Sequence, residues 1–301
     1  MPIWNTPAPP ELSSRQAFST NLPAQRFYVV EPDRIRGLTF FFSEGRLFGI
    51  HVHDSTGSCA VSTYERFTSR RQKGMVWIYV PISEGDNISV LGIRTSSAGL
   101  NILIGTSRVG DVIIGPHTTG SVKDRCLGES APISLIYAEP GEGGAVPYFG
   151  AYCKPSFGLC KPFPLRTSGN PLGNDSYFSW APLEQVSSTL TFHNSAGYCR
   201  GIILYYKNGG SRSVGECRIH IDSAQHIIEP HWLCFRAQMH PARRNLHRRT
   251  IQVDFRRTLP TGTRDSWTFK PLKGYMIFWF TSESATLELI GKGMSGKQKK
   301  R

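Results

Sequence analysis

Short runs of β-branched and aromatic residues, each ended by Gly, Asp or Asn, constrain this chain more than any other feature. Leu38-Thr-Phe-Phe-Phe-Ser meets Glu44-Gly45 and resumes as Leu47-Phe-Gly-Ile-His-Val-His. Met75 to Ile82 stops at Glu84-Gly-Asp-Asn87 before Ile88-Ser-Val-Leu-Gly-Ile. Leu100 to Ile104 and Val112 to Ile114 then flank a further Gly-bearing turn. Strands joined by tight turns fit this punctuation, and 3.6-residue helical patterning is scarce. The expected class is all-β: two antiparallel β domains, prism-like or sandwich-like.

An internal echo supports two related halves. Arg36-Gly-Leu-Thr-Phe-Phe-Phe-Ser-Glu-Gly aligns with Arg200-Gly-Ile-Ile-Leu-Tyr-Tyr-Lys-Asn-Gly. After a two-residue insertion, Arg46-Leu-Phe-Gly aligns with Arg212-Ser-Val-Gly. Each copy reads as a hairpin with one buried and one wetter face. Phe48, Ile50 and Val52 share the inner face of the first return strand, as Cys217, Ile219 and Ile221 do in the second. His51 and His53, or Arg218, His220 and Asp222, then face solvent.

The boundaries follow composition. Residues 1–27 hold Pro2, Pro7, Pro9, Pro10 and Pro23 and read as an extended Pro-rich arm. Residues 28–138 form the first β domain. Residues 139–175 contain seven glycines and six prolines, too many for a continuous ladder, and read as a linker. Its aromatics, among them Tyr148, Phe149 and Tyr152, imply partial packing on a neighbouring domain. Residues 176–290 form the second β domain, ending in Gly274-Tyr-Met-Ile-Phe-Trp-Phe and Ala285-Thr-Leu-Glu-Leu-Ile. Residues 291–301 are a basic tail.

The hairpin followed by VWIYVPISEGDNISVLGIR and NILIGTSRVGDVIIGP resembles jacalin-like lectin domains over residues 34–116. CRGIILYYKNGGSRSVGECR is similar to β-rich terminal segments of uncharacterised fungal multidomain proteins. The first resemblance implies glycan recognition, with a Gly-x-x-x-Asp loop at the sugar. Gly120-Ser-Val-Lys-Asp124 fits that pattern, yet composition alone supplies about one such match by chance. It also lacks the apolar strand expected after the aspartate.

Seven cysteines, odd in number and widely spaced, point to reduced thiols and an intracellular address, cytoplasmic or nuclear. No run is long and apolar enough to suggest a membrane span. Cys217-x2-His220 with His231-x2-Cys234 has the outline of a zinc site, but residues three apart on a strand face opposite ways, so no metal is expected. Gly291 to Lys297 imitates a phosphate loop but lacks the following Ser or Thr and helix. No nucleophile elbow or metalloprotease helix is present, and no cofactor is expected.

Charge is concentrated at one end. Residues 236–301 carry 15 Lys+Arg against 4 Asp+Glu, a net +11 of the chain's +13. The expected function is a non-enzymatic recognition module, glycan-directed in the lectin manner. The alternative is a nucleic-acid-associated protein that contacts phosphates through Arg243, Arg244, Arg248, Arg249, Arg256 and Arg257. Phe255 and Trp267 would then stack on bases. Lys297-Gln-Lys-Lys-Arg301 has the composition of a nuclear import signal.

Overall fold

A computed structural model describes residues 3–7, 15–19, 26–57, 59–118, 120–129, 131–153, 169–173, 175–241, 247–259 and 266–291. Nearly all of its regular structure is β, in several separate sheets with no barrel. The chain divides into two compact units, residues 1–169 with 209–211 and residues 170–208 with 212–301.

The first unit contains β1 (Ile3–Trp4), β2 (Arg15–Ser19), β3 (Arg26–Val30), β4 (Gly37–Ser43), β5 (Arg46–His53) and β6 (Val76–Pro81). It continues with β7 (Ile88–Ser96), β8 (Gly99–Thr106), β9 (Gly110–Ile114), β10 (Lys123–Glu129), β11 (Ser134–Ala138) and β12 (Tyr148–Tyr152). Two helical turns, α1 (Val61–Tyr64) and α2 (Ser69–Gln72), lie between β5 and β6. The strands form three sheets: β1-β3-β11-β12-β2, β5-β4-β6 and β10-β7-β8-β9. The last has the fourth strand returning beside the first, the Greek key order. Each sheet touches the other two. Tyr137 of β11 donates to the Ile50 carbonyl of β5 at 3.5 Å, β10 meets β2 and β12, and β5 meets β8.

Two turns fix the junction between β5 and β8. Glu44 (φ +50°) and Gly45 (φ +71°) close β4 on β5 in the left-handed conformations a two-residue hairpin turn requires. The Gly45 carbonyl accepts from Leu100 N at 3.2 Å. A Cβ on Gly45 would sit 2.2 Å from the Ala98 carbonyl, and one on Gly99 (φ +131°) 2.1 Å from the Gly45 carbonyl. Only glycine permits this approach.

The expected wet face of the first hairpin is buried. Every residue of β4 is buried, with Phe40, Phe41 and Phe42 at 0% exposure. The segment carrying α1 and α2 covers that outer face, where Phe41 packs with Trp77, Tyr64, Phe67 and Phe48. A register shift between Phe41 and Phe42 brings Phe48 there, away from the inner face expected for it with Ile50 and Val52. His51 and His53, expected at solvent, are each 7% exposed. Their polarity is met inside: His53 Nε2 lies 2.7 Å from Thr39 Oγ1 and His51 Nδ1 lies 2.9 Å from Thr63 Oγ1.

Two segments without expected strands supply them. β1 pairs in parallel with β3, and β2 pairs with β12, so residues 1–27 add two strands to the five-stranded sheet. Residues 139–175, read as a linker, supply β12, which pairs Phe149 with Tyr137 and Gly150 with Ile136. Burial of its aromatics offsets the cost of ordering, since Phe149 is 1% exposed and Tyr148 packs on Phe27.

The second unit contains β13 (Tyr177–Pro182), β14 (Val186–His193), β15 (Cys199–Tyr206), β16 (Ser211–Gly215) and β17 (Ser223–Ile228). β18 (Trp232–Pro241), β19 (His247–Arg256), β20 (Thr268–Pro271), β21 (Tyr275–Phe280) and β22 (Ala285–Ile290) complete it. Its sheets are β13-β21-β22, β16-β15-β14-β17 and β19-β18-β20. The second echo copy is the hairpin β15–β16, but its return strand ends at Gly215 (φ +73°), before Cys217, Ile219 and Ile221. The shared inner face expected for those three does not form: Cys217 is fully buried whereas Ile221 is 40% exposed. Just beyond Gly215, Glu216 N still donates to the Arg200 carbonyl of β15 at 2.8 Å, and its nearly buried carboxylate accepts from Arg200 at 2.9 Å and Arg218 at 3.3 Å.

Cys153, Cys199, Cys217 and Cys234 carry free thiols, whereas Cys126 is disulfide-bonded, a departure from the expected set of reduced thiols. Residues 292–301, with the import-signal and phosphate-loop patterns, lie outside the described residues, of which Gly291 is the last. Among the described residues no helix is long and apolar enough to cross a membrane.

Gly45→Ala and Gly110→Ala separate strain from steric conflict. The two glycines have nearly the same φ, but Gly110 faces open space. Gly110→Ala should cost about 1–2 kcal/mol for the left-handed backbone alone, and Gly45→Ala distinctly more. Urea midpoints at constant m check the difference.

Candidate binding cleft

A cleft of about 970 Å³ opens in the first unit, and neighbouring strands build most of its wall. β3 contributes Tyr28, Val29 and Val30, and β5 contributes Phe48 to Val52. β11 supplies Ser134 and Tyr137. The α1 segment adds Thr63, Arg66 and Phe67, and the turn after β11 adds Glu139 to Gly144. That turn closes through Gly144 N to the Gly141 carbonyl at 2.9 Å. Val146 N then bonds the Leu47 carbonyl of β5 at 2.8 Å, fixing the rim to the wall.

Register creates the aromatic part. Tyr137 stands opposite Tyr28 on adjacent antiparallel strands, and their rings stack at 5.1 Å with 14° between planes. A directly opposed cross-strand pair has its Cβ atoms close enough for this contact. Tyr137 is nearly buried, and that burial pushes its hydroxyl well above the usual phenol range. It therefore stays a neutral donor.

Glu139 organises the polar part. Its Oε1 accepts from Arg66 Nη1 at 2.8 Å, and its Oε2 from Tyr28 Oη at 3.2 Å and Arg26 Nη1 at 3.4 Å. Arg66 belongs to the α1 segment and Glu139 to the turn after β11, so the ion pair ties two walls. At the rim, Arg34 pairs with Glu31 at 2.8 Å. Asp54 accepts from the hydroxyl of Thr56 and from its backbone N at 2.9 Å. These bonds, the hydroxyl first, hold its carboxyl below the usual value. Among the described lining residues four carboxylates, Glu31, Asp54, Glu139 and Glu142, face two guanidiniums, Arg34 and Arg66. An excess of carboxylates favours hydroxyl or amine donors and opposes phosphate.

The Gly120–Asp124 pattern forms no such site. Asp124 lies on β10, where Arg94, itself 3% exposed, clamps it with two bonds of 2.7 Å. Among the described residues no group of three or more His, Cys, Asp or Glu side chains could hold a metal.

The arginine candidates are dispersed. Arg243 and Arg244 lie outside the described residues. Arg248 and Arg256 occupy one face of β19 eight residues apart, roughly 27 Å in a strand. Arg249 lies on the opposite face. Arg248 donates to the Glu283 carbonyl at 2.7 Å and Arg257 to the Ile228 carbonyl at 2.8 Å. Arg256 is paired with Asp254 at 2.8 Å. Phe255 cannot stack on a base, because it is 1% exposed and points into the core beside Ile251 and Val253. Trp267 is half-buried, with Arg236 5.6 Å from its ring centroid.

Sequence reasoning missed Glu139, assigning it to a linker, and did not single out Tyr28 or Tyr137. The apolar run Leu135-Ile-Tyr-Ala immediately before Glu139-Pro140 was the available signal for a strand ending at a functional turn. No protein-family model matches this chain, and no curated protein does.

The Asp54–Thr56 bonds have a measurable consequence. A depressed folded value means that Asp54 contributes stability above the unfolded carboxyl pKa, and this is lost as pH falls through the lower folded value. In an NMR pH titration, Asp54 should titrate below the ordinary 3.8 and move up toward it in Thr56→Val. An unshifted Asp54 in the parent chain would contradict the assigned bonds.

Proposed function

We propose that the chain is a non-enzymatic recognition module that binds a neutral glycan in the cleft of the first unit. The observation that carries this reading is the joining of the Tyr28–Tyr137 stack to a surplus of carboxylates in one concave site. Sugars present hydroxyl donors around their edges and C–H groups on their faces, which suit carboxylates and an aromatic ring. The volume lies within the range of ordinary ligand clefts, with room for a short oligosaccharide.

The resemblance of residues 34–116 to jacalin-like lectins supports the same ligand class, as does a unit made of three mutually touching sheets. The proposed site differs from the loop that resemblance implies, because Arg94 occupies Asp124. The paired hairpins β4–β5 and β15–β16 favour an origin of the two units as a tandem repeat. A cytoplasmic or nuclear address rests on thiols such as Cys199, Cys217 and Cys234, and the disulfide at Cys126 weighs against it.

A glycan array at moderate and then high salt tests the proposal. Neutral oligosaccharides should give hits that persist as ionic strength rises, since no charge pairing is screened. Tyr28→Ala should weaken such a hit about tenfold, the equivalent of about 1.4 kcal/mol. Glu142→Gln should reduce the carboxylate surplus without unfolding the chain. A broad array with no salt-resistant hit sinks the glycan reading.

A further inference from the structure

The register of the β18–β19 hairpin places cationic and aromatic side chains on one outer face of the second unit. Leu233, Ile251, Val253 and Phe255, all at most 3% exposed, define the inward parity, although Ala237 and Met239 of β18 on the same parity are exposed toward the hairpin tip. Alternation therefore turns Trp232, Arg236 and His240 of β18 the other way, at four-residue intervals. Directly opposite on β19 stand Arg256, Gln252 and Arg248. The rungs between them, Cys234 with Asp254 and Gln238 with Thr250, share that face, and the nearly buried Cys234 and Thr250 form its floor.

Two of the three main rungs include a ring and the middle one lies beside an indole, and each offers a potential phosphate or base contact. At one end, Trp232 lies opposite Arg256 and, on β20, opposite Pro271. In the middle, Arg236 Nε donates to Gln252 Oε1 at 3.1 Å, and its guanidinium lies 5.6 Å from the Trp267 ring. At the far end His240 meets Tyr198 edge-on at 5.5 Å and shares a 2.9 Å hydrogen bond with Thr250, while exposed Arg248 stands opposite it. Trp232, Arg236, His240, Trp267 and Tyr198 are all half-buried, held in place by neighbours while keeping part of their surface open.

We infer that this stripe is a binding surface for single-stranded nucleic acid. Its ends are eight residues apart, about 27 Å along the strand, which suits the lower end of the ~4–16 nucleotide footprint of single-strand binders. Cations follow the phosphates, and interleaved rings accept unstacked bases. Asp254 neutralises Arg256, so Arg236 and Arg248 are the stripe's two effective phosphate contacts. The net +11 of residues 236–301 supplies the long-range attraction for a polyanion. A duplex fits less well, because its bases are stacked inside and give the rings nothing to pack on. The surface is independent of the glycan cleft.

Fluorescence anisotropy with the full chain and a labelled 20-residue oligothymidine tests the inference, with a 20-base-pair duplex and heparin as competitors. Log affinity should fall linearly with log salt. The R236Q/R248Q variant should flatten that slope by about 1.4, two phosphates at about 0.7 each. Trp267→Ala should weaken binding about tenfold, with Trp267→Phe recovering most of the loss, as stacking requires. Circular dichroism and urea midpoints identify any variant that fails to fold, and Trp267→Phe then carries the stacking test through quenching of the remaining indoles by bound oligothymidine. An unchanged slope in R236Q/R248Q overturns the inference. So does heparin binding as tightly as oligothymidine with no effect of the Trp267 substitutions, which identifies a general polyanion surface.

Discussion

The backbone contact between the turns at Gly45 and Gly99 determines where two of the three sheets of the first unit meet. Each carbonyl or α-carbon there occupies space that a side chain would need, and both glycines are left-handed. The Leu100 N bond to the Gly45 carbonyl locks the approach. β5 is consequently held with one end against β8, and its length from Phe48 to Val52 is presented to β3 and β11. The cleft is what remains between those strands once the junction is fixed. Close packing transmits such a constraint because neighbouring strands have no slack to absorb a displacement.

Polar groups on the outer face of β4–β5 show how that constraint becomes a site. A hairpin with Thr39, His51 and His53 on one side reads as half-solvated. Covering that side with the α1–α2 segment costs desolvation of each polar group unless a partner is supplied. Thr39 and Thr63 supply those partners, so the cover is tolerated. The same cover brings Arg66 to Glu139. One insertion between β5 and β6 therefore buries the hairpin and builds a cleft wall.

Local pattern revealed the strands and left their surroundings obscure. The runs from Leu38 to Ile114 and from Tyr275 to Ile290 were readable because turn residues bound them, and the hairpins at Glu44-Gly45 and after Tyr206 follow directly. Partnership over long sequence distance was not readable. β12 has a glycine at its centre and follows a Gly/Pro-rich stretch, so it looks like a poor strand by itself, but it lies between β11 and β2 and gains a ladder on both edges. Glu139 was hidden for the same reason, since its partners Arg26 and Arg66 lie 113 and 73 residues away. Strand parity failed after Gly215 because a left-handed glycine ends the strand, and parity has meaning only while the ladder continues.

Parity succeeds where the ladder is unbroken, and β19 shows what it decides. Arginines at consecutive positions look like a single cationic cluster in sequence, yet Arg248 and Arg249 emerge on opposite faces. Phe255 shares the inward parity of Ile251 and Val253, which removes it from any surface role. Arg248, Gln252 and Arg256 share the outward parity and meet their counterparts on β18 at every fourth residue. A charge count describes attraction at a distance, which salt weakens, and carries no information on contact geometry. Contact chemistry depends instead on which side chains a surface can offer together. In this hairpin those are one arginine beside an indole and one opposite an imidazole, while the acidic cleft of the first unit offers carboxylates. The two units of one chain thus present opposite electrostatic preferences, and a polyanion suited to the hairpin of the second unit would be repelled by the carboxylates of the cleft.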